Sequence, residues 1–314
     1  MDLQKLKIIR HAAACGFNLT RAAKELHTSQ PGVSRQIREL EDELGVELFI
    51  RVGKRLVAMT EPGKELLEIA CRILADVNNI RSIPARFEKI GSGALRIASA
   101  MSGMGRLPET LKRFHSSFPD VRISVKQLDS AGVASALLHD EADIGLAGEH
   151  LCNLRDIAAF PCFVLKYKAL VPEKPTTVRE KKISLRMLGA HPLLTHNAGT
   201  EERTIVDNAF AAAGLKPNII LTADGPCLIR CAAMGIGAAV VCHEGEIREK
   251  GLRVHEVENL FGGAAFFLGV RRGKLFRDFE LQLVHFLLPE LDLETVRKEA
   301  LSRKPAPYVP GYAI

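Results

Sequence analysis

The chain has 314 residues, more than one ordinary domain needs, so two or three domains are expected. Hydrophobic residues make up 47% of it, yet it contains no run of about 18 apolar residues, the length that a membrane span needs. Its first residues, MDLQKLKIIR, lack the apolar core of a secretion signal, which predicts a cytoplasmic protein. The net charge of +6 is modest, so any attraction to nucleic acid must be local.

A first helix is predicted from Asp2 to about Cys15, and Gly16 ends it. The next stretch, NLTRAAKELHTSQPGVSRQIREL, predicts two short helices joined by a tight turn. Asn18 suits the N-cap of the first helix, and Thr28 or Ser29 suits the N-cap of the second. Pro31 then falls in the first turn of the second helix, where no intrahelical N–H is needed.

The second of these helices has two distinct faces. Its apolar positions recur at helical spacing and predict one buried stripe: Val33, Ile37, Leu40 and Leu44. Its opposite face carries Pro31, Ser34, Arg35 and Arg38. A polar, basic face of this kind suits a helix laid in the major groove of DNA. The alternative is an ordinary amphipathic hairpin with a solvated face.

Two short apolar runs follow, Glu47–Ile50 and Leu56–Met59, and they flank the basic sequence Arg51-Val52-Gly53-Lys54-Arg55. They predict a β-hairpin with a basic tip, a wing, that would meet phosphates while the helix meets bases. The predicted DNA contacts are Thr28, Ser29, Gln30, Pro31, Ser34, Arg35, Arg38, Arg51, Lys54 and Arg55.

The segment AAKELHTSQPGVSRQIRELEDELGVELFIR resembles the winged helix-turn-helix of the LysR-type transcriptional regulators, from Leu3 to about Ile83. Its most specific part is TSQP-x-VSRQI. The further segments NLTRAA, GKRLVAMT and RILADVNNIRSI are similar to the cysteine-regulon activators, the CysB-like subgroup. The resemblance implies a regulator that binds double-stranded promoter DNA, forms a homodimer or homotetramer, and responds to a small-molecule effector. RNA polymerase is a further candidate partner.

Thr60 caps a predicted long helix with Pro62 in its first turn. Five apolar residues along it are spaced alternately by four and three positions: Leu66, Ala70, Ile73, Val77 and Ile80. This spacing is typical of a short coiled-coil seam and predicts dimerisation, which a two-fold reader of DNA needs. The alternative is a helix that lies on its own domain. The resemblance implies the family's linker helix, and residues 84–92, PARFEKIGS, are the predicted hinge.

From Gly93 onward, apolar strands alternate with helices, which predicts two successive βαβαβ runs and a parallel sheet with helices on both faces. Two crossovers, near Phe160–Leu165 and Gly263–Phe267, indicate an α/β clamshell that resembles the periplasmic binding proteins, as the family's effector domain does. The predicted domains are a winged helix-turn-helix at 1–60, a linker and hinge at 61–92, an effector domain at 93–289 and a C-terminal extension at 290–314. Lobe I comprises 93–161 and 266–289, and lobe II comprises 162–265.

In open parallel sheets, ligands bind beyond the carboxyl ends of the strands and against helix N-termini. The residues predicted there are Ser99, Ala100, Ser102, Gly103, Gly148, Thr195 and Thr200. The alternative at each position is ordinary loop and cap chemistry. CysB-like proteins hold an anion through hydroxyl-bearing residues, and the resemblance places Ser102 and Thr200 on such positions with Ser99 close by.

Three positions depart from the subgroup's pattern, because Ala100, Gly103 and Gly148 stand where it carries threonine or glutamine. The pocket therefore has fewer side-chain donors, and Glu149 beside it would repel a dianion. A larger or differently charged sulfur metabolite, or an unrelated organic acid, fits this pocket at least as well as sulfate.

The sequence carries no Ser-His-Asp order, no HExxH and no GxGxxG after a strand, so no catalytic role is predicted. Its seven cysteines form no CxxC pair, and Cys227 with Cys231 would supply too few ligands for zinc. Reduced thiols, no metal and no cofactor are expected. The alternative function is a clamshell small-molecule-binding protein or an enzyme with an incidental N-terminal helical domain.

Overall fold

The structure is a computed structural model that describes residues 1–53, 55–87, 92–100, 106–173, 183–243 and 245–302. The N-terminal domain consists of three helices followed by a two-stranded hairpin, which confirms the predicted element order. Their bounds are α1 Leu3–Ala14, α2 Leu19–Glu25, α3 Gln30–Leu44, β1 Phe49–Val52 and β2 Arg55–Met59.

Side-chain caps fix where the second and third helices begin. The Asn18 side chain accepts a hydrogen bond from the Arg21 N–H at 3.0 Å. Ser29, rather than Thr28, caps α3, because its Oγ accepts from the Gly32 N–H at 3.2 Å. Helix α3 is terminated by its C-cap residue Gly45, whose φ of 70° lies in the left-handed region that favours glycine.

The predicted inner stripe of α3 lies in the core of this domain. Val33, Ile37 and Leu40 are buried there with Phe49 from the hairpin. Leu44, predicted on the same stripe, is exposed, because it is the last residue of the helix.

The hairpin has a shorter tip than the sequence predicted. Val52 pairs with Arg55 and Arg51 with Leu56, so both arginines belong to the strands. Gly53, with a φ of 62°, lies in the turn, and Lys54 lies outside the described residues. The predicted five-residue tip was wrong because strand pairing extends over residues whose charge suggested a loop.

A long helix, α4 Glu61–Phe87, connects this domain to the rest of the chain. Its 27 residues correspond to a length of about 40 Å. The predicted cap is confirmed, because Thr60 Oγ1 accepts from the Gly63 N–H at 3.1 Å. The helix continues through Pro84, where the hinge was predicted to begin; the proline removes one intrahelical hydrogen bond without ending the helix.

Beyond this helix, nine strands of the described residues form one long sheet that runs through both lobes. The strands are β3 Gly93–Ser99, β4 Val121–Gln127, β5 Ile144–Ala147, β6 Ile157–Pro172, β7 Leu193–Thr195, β8 Ile219–Thr222, β9 Ala238–Cys242, β10 Leu252–Glu256 and β11 Gly263–Arg271. The helices are α5 Arg106–Ser117, α6 Ser130–Leu138, α7 Leu185–Ala190, α8 Glu201–Ala212, α9 Gly225–Ala233, α10 Glu258–Phe261, α11 Asp278–Leu287 and α12 Leu293–Leu301, and a 3₁₀ segment, η1, spans Glu149–Asn153.

The strand order is β4-β3-β5-β11-β6-β9-β7-β8, with β10 beside β6. Strands β3, β4 and β5 pair in parallel in lobe I, and β7, β8 and β9 pair in parallel in lobe II. Strand β6 runs through both lobes: it pairs with β11 as far as Lys166 and with β9 from Tyr167 onward. The two-lobed α/β architecture predicted from the sequence is therefore confirmed.

A network of charged side chains lies buried in lobe I. Lys274 Nζ lies 3.2 Å from Asp143 Oδ1 and 3.0 Å from Glu280 Oε1. Burial alone would raise the pKa of Asp143, but Lys274 and Arg96 hold it below its ordinary value. The charges in this network therefore compensate one another.

Among the described residues, no helix is long and apolar enough to cross a membrane.

Candidate DNA interface and effector cleft

The outer face of α3 is open to solvent. Thr28, Ser29, Gln30, Pro31, Arg35 and Arg38 are exposed, and Ser34 is half-buried. The Arg35 side chain is 81% exposed, and its Nε donates to Glu39 Oε1 at 2.7 Å. This exposed ion pair is weak, so the guanidinium can exchange Glu39 for a base edge or a phosphate.

The two arginines described in the hairpin have different surroundings. Arg55 is exposed on β2, where a phosphate can reach it. Arg51 instead pairs with the buried carboxylate of Glu41 on α3, and its side chain is only 28% exposed. Arg51 stays a predicted DNA contact, and its guanidinium also joins the hairpin to α3.

Glu41 is the residue that organises this junction. Its Oε1 accepts from the backbone N–H groups of Leu48 and Phe49, at 2.9 and 3.2 Å. Its other oxygen accepts from Arg51. This role could not be predicted from the sequence, because Glu41 lies beside exposed acids in the run EDE and only the folded hairpin brings its partners near.

The linker helix uses part of its predicted seam within the protomer. Ala70 is fully buried against Leu6 of α1 and Leu74, and Leu66 packs against the core of the winged domain. Ala70 is therefore corrected from a dimer contact to an intramolecular one, since α1 covers it, and Leu66 stays a predicted dimer contact that also packs within the protomer. Farther along, Ile73 and Val77 are half-buried, and Ile80 is 64% exposed.

On the lobe I side of the cleft, Ser99 ends β3 and is fully buried, and Ala100 follows it, half-buried. The Ala100 N–H donates to the Leu146 carbonyl of β5 at 2.8 Å, so these strand ends lie side by side. Gly148 follows β5 and precedes η1. The predicted contacts Ser102 and Gly103 lie outside the described residues.

On the lobe II side, Thr195 ends β7 and is fully buried, and its Oγ1 has no hydrogen-bond partner among the described residues. Thr200 is the N-cap of α8: its hydroxyl accepts from the Arg203 N–H at 3.2 Å and donates to the Asn197 carbonyl at 2.9 Å. Its donor is therefore engaged, and an effector anion would have to compete with Asn197 for it.

A direct contact across the cleft was not anticipated from the sequence. The carboxylate of Glu201, the first residue of α8, lies over Gly148 and accepts from the His150 N–H at 3.2 Å. The neighbouring Glu202 is largely buried, and burial raises its pKa. Glu149 is exposed on the opposite lobe. Described carboxylates thus stand on both sides of the cleft.

Two thiols lie near each other on α9, with 3.9 Å between the Sγ atoms of Cys227 and Cys231. Among the residues that the structure describes, no group of three or more His, Cys, Asp or Glu is arranged to hold a metal ion.

Comparison with known proteins identifies both parts of the chain. The family model described as bacterial regulatory helix-turn-helix protein, lysR family, matches residues 3–64, and the one described as LysR substrate binding domain matches residues 90–291. The chain belongs to the LysR family. The resemblance noted in the sequence is thus confirmed, and the protein is a LysR-type DNA-binding transcriptional regulator with an effector-binding domain.

Individual relatives place this LysR protein near one subgroup. It is 39% identical over 305 residues to the HTH-type transcriptional regulator cbl of Escherichia coli (strain K12), covering 96% of each chain. It is 34% identical over 302 residues to the HTH-type transcriptional regulator CysB of Burkholderia cenocepacia, covering 95% of this chain and 96% of that one. The crystal structure of the cofactor-binding domain of the Cbl transcriptional regulator is similar with a TM-score of 0.62 and 31% identity, covering 67% of this chain and 94% of that one.

Proposed function

We propose that this LysR regulator controls promoters of sulfur-metabolism genes, and that an organic metabolite bound between the lobes, anionic or sulfur-containing, modulates its DNA binding. The similarity to Cbl and CysB over nearly the whole chain supports the gene class. We further propose that it works in the cytoplasm as a regulator and not as an enzyme. RNA polymerase is its candidate partner at the promoter.

The observation that carries the DNA-binding part of the proposal is the outer face of α3. The helix begins at the capped residue Ser29, and the Arg35 and Arg38 side chains point to solvent from the same side. The inner side of that helix is fixed by the buried stripe, so the arginines have a defined orientation. Arg55, exposed on the wing, supplies a further positive charge suited to the phosphate backbone.

The experiment is an operator-binding titration at several salt concentrations with Arg35→Ala and Arg55→Ala. A base contact by Arg35 predicts a loss of about 1–3 kcal/mol and relaxed sequence preference in Arg35→Ala. A phosphate contact by Arg55 predicts similar weakening on all sequences and a salt slope lower by about 1. Identical behaviour of the two variants would refute this placement of the reading helix.

The effector part of the proposal concerns Ser99, Ala100, Gly148, Thr195 and Thr200, together with Ser102 and Gly103 outside the described residues. The unpartnered, fully buried hydroxyl of Thr195 supports a polar ligand at this cleft, because such a group is costly to leave unpaired. Calorimetric titration with O-acetylserine, thiosulfate, sulfate and small organic acids tests it. Thr195→Val should weaken binding of the ligand that responds, whereas tight binding of an apolar compound, unchanged in Thr195→Val, would refute a polar effector.

A further inference from the structure

One carboxylate of lobe II reaches across the cleft to lobe I. Glu201 begins α8 in lobe II, and Gly148 and His150 lie between β5 and η1 in lobe I. The Glu201 Oε1 atom accepts a hydrogen bond from the His150 N–H at 3.2 Å, across 51 positions of sequence. A Cβ placed on Gly148 would overlap the same carboxylate. The side chain of Glu201 therefore fills the space directly above Gly148.

The backbone at Gly148 does not require a glycine. Its φ of −76° and ψ of −160° are open to any L-residue. A side chain here would meet the end of the flexible Glu201 side chain and push its carboxylate aside. The glycine therefore leaves room for a carboxylate that comes from the other lobe.

Two interactions stabilise the Glu201 carboxylate in this position. It lies in the first turn of its own helix α8, where negative charge is favoured, and it bonds a backbone N–H of lobe I as well. Glu149 and Glu202 stand nearby, so a second negative charge brought to this end of the cleft meets repulsion.

We propose that Glu201 is a built-in latch that holds the two lobes together when no effector is bound, and that a ligand bridging the lobes at this end must displace its carboxylate. This inference rests on the proposed effector function of the cleft. The contact makes the closed form stable without a ligand, and it selects against small dianions, which would have to enter beside three carboxylates. Ligands that meet Gly148 with an ammonium or an uncharged group are admitted more readily.

The test is a ligand-free double-mutant cycle on the full chain. Gly148→Ala keeps an allowed backbone but pushes the carboxylate away, and Glu201→Ala removes the carboxylate. The His150 amide should exchange with solvent about tenfold faster or more in each single variant, since it loses a charge-assisted hydrogen bond. The double variant should exchange no faster than Glu201→Ala alone, because the alanine at 148 then meets nothing.

Glu202→Ala is the matched control, since it removes the same charge from the same helical turn but leaves the contact over Gly148 intact. It should leave His150 exchange unchanged. Glu201→Gln, which keeps the shape and one acceptor oxygen, should lie between the wild type and Glu201→Ala, and it guards against a variant that fails to fold. Additive effects of the two alanine substitutions, or unchanged exchange in Glu201→Ala, would overturn the latch.

A second arm separates the latch from the effector function. Titrating thiosulfate and O-acetylserine into the wild type and Glu201→Gln should show binding several-fold tighter in the variant for the probe that enters the cleft, because the competing carboxylate has been neutralised. If neither probe binds any variant while the exchange cycle gives the expected result, the proposed effector class fails and the latch stands.

Discussion

The Asn79 side chain donates from Nδ2 to the Gly273 carbonyl at 2.7 Å, which joins the linker helix to the turn after β11. Its Oδ1 accepts from the Leu275 N–H at 3.1 Å, so one side-chain amide forms hydrogen bonds with two backbone groups of that turn. The neighbouring Asn78 bonds Asp140 in the same lobe. The linker helix is therefore attached to lobe I, next to the buried network of Lys274, and we expect a movement of lobe I to be passed to the helix through these bonds.

We expect Asn79→Ala to weaken this attachment by about 1–3 kcal/mol, because a backbone N–H and a carbonyl lose their partner. Operator binding without effector should survive, while the change in binding caused by an effector should shrink. Both are measured in one operator titration, with and without the responsive ligand. Asn208→Ala, at an exposed position on α8, is the control. A full effector response in Asn79→Ala would show that the attachment does not carry the signal.

The Glu41 carboxylate should be essential for the winged domain. Glu41→Ala leaves the Leu48 and Phe49 N–H groups and the Arg51 guanidinium without their acceptor, so we expect the free energy of unfolding to fall by about 2–4 kcal/mol. Chemical denaturation measures this loss. Glu39→Ala, which breaks only an exposed ion pair, should change the free energy of unfolding by less than about 1 kcal/mol. Equal effects would contradict the structural role of Glu41.

The helix boundaries of the N-terminal domain could be predicted from the sequence because they depend on local interactions. Asn18, Ser29 and Thr60 cap their helices through side-chain bonds to residues three positions on, and such bonds depend on short-range sequence alone. The parallel strands could be predicted for a similar reason, since a strand buried on both faces is a continuous apolar run, as at Ala238–Cys242.

Features that depend on residues far apart in the sequence could not be predicted. The spacing of Leu66, Ala70 and Ile73 correctly indicated an apolar face on α4, but it could not say that α1 covers the first part of it. Strand β6 was seen only as a crossover, because its pairing changes from β11 to β9 in mid-strand. Glu201 and Gly148 meet only when the two lobes are in place, so neither residue signals the other in the sequence.

The exposed part of the linker helix should carry the dimer contact. Ile80 is 64% exposed, and Ile69, which lies about three helical turns earlier on the same face, is 45% exposed. Ile80→Asp places a charge where a partner helix would desolvate it, at a cost of several kcal/mol, about 2–5, so the dimer should dissociate. Light scattering and operator affinity report the loss. Met234→Asp, at an exposed apolar position in lobe II, should remain oligomeric, and an oligomeric Ile80→Asp would place the interface elsewhere.

His196 should make the stability of lobe II depend on pH. Its Nε2 accepts from the Cys242 N–H at 3.0 Å, so the ring must be neutral there, and burial lowers the pKa of His196 to about 4. Because an unfolded histidine has a pKa of about 6.5, its contribution is complete above that pH and disappears as the pH falls toward 4, a loss on the order of 3 kcal/mol. Denaturant unfolding at pH 7.5 and 4.5 measures this loss. His196→Gln, whose amide oxygen can still accept from Cys242, should show a smaller difference between the two pH values. His115→Gln, at an exposed position, should keep the wild-type difference, and a His196→Gln variant that also keeps it would exclude His196 as the source.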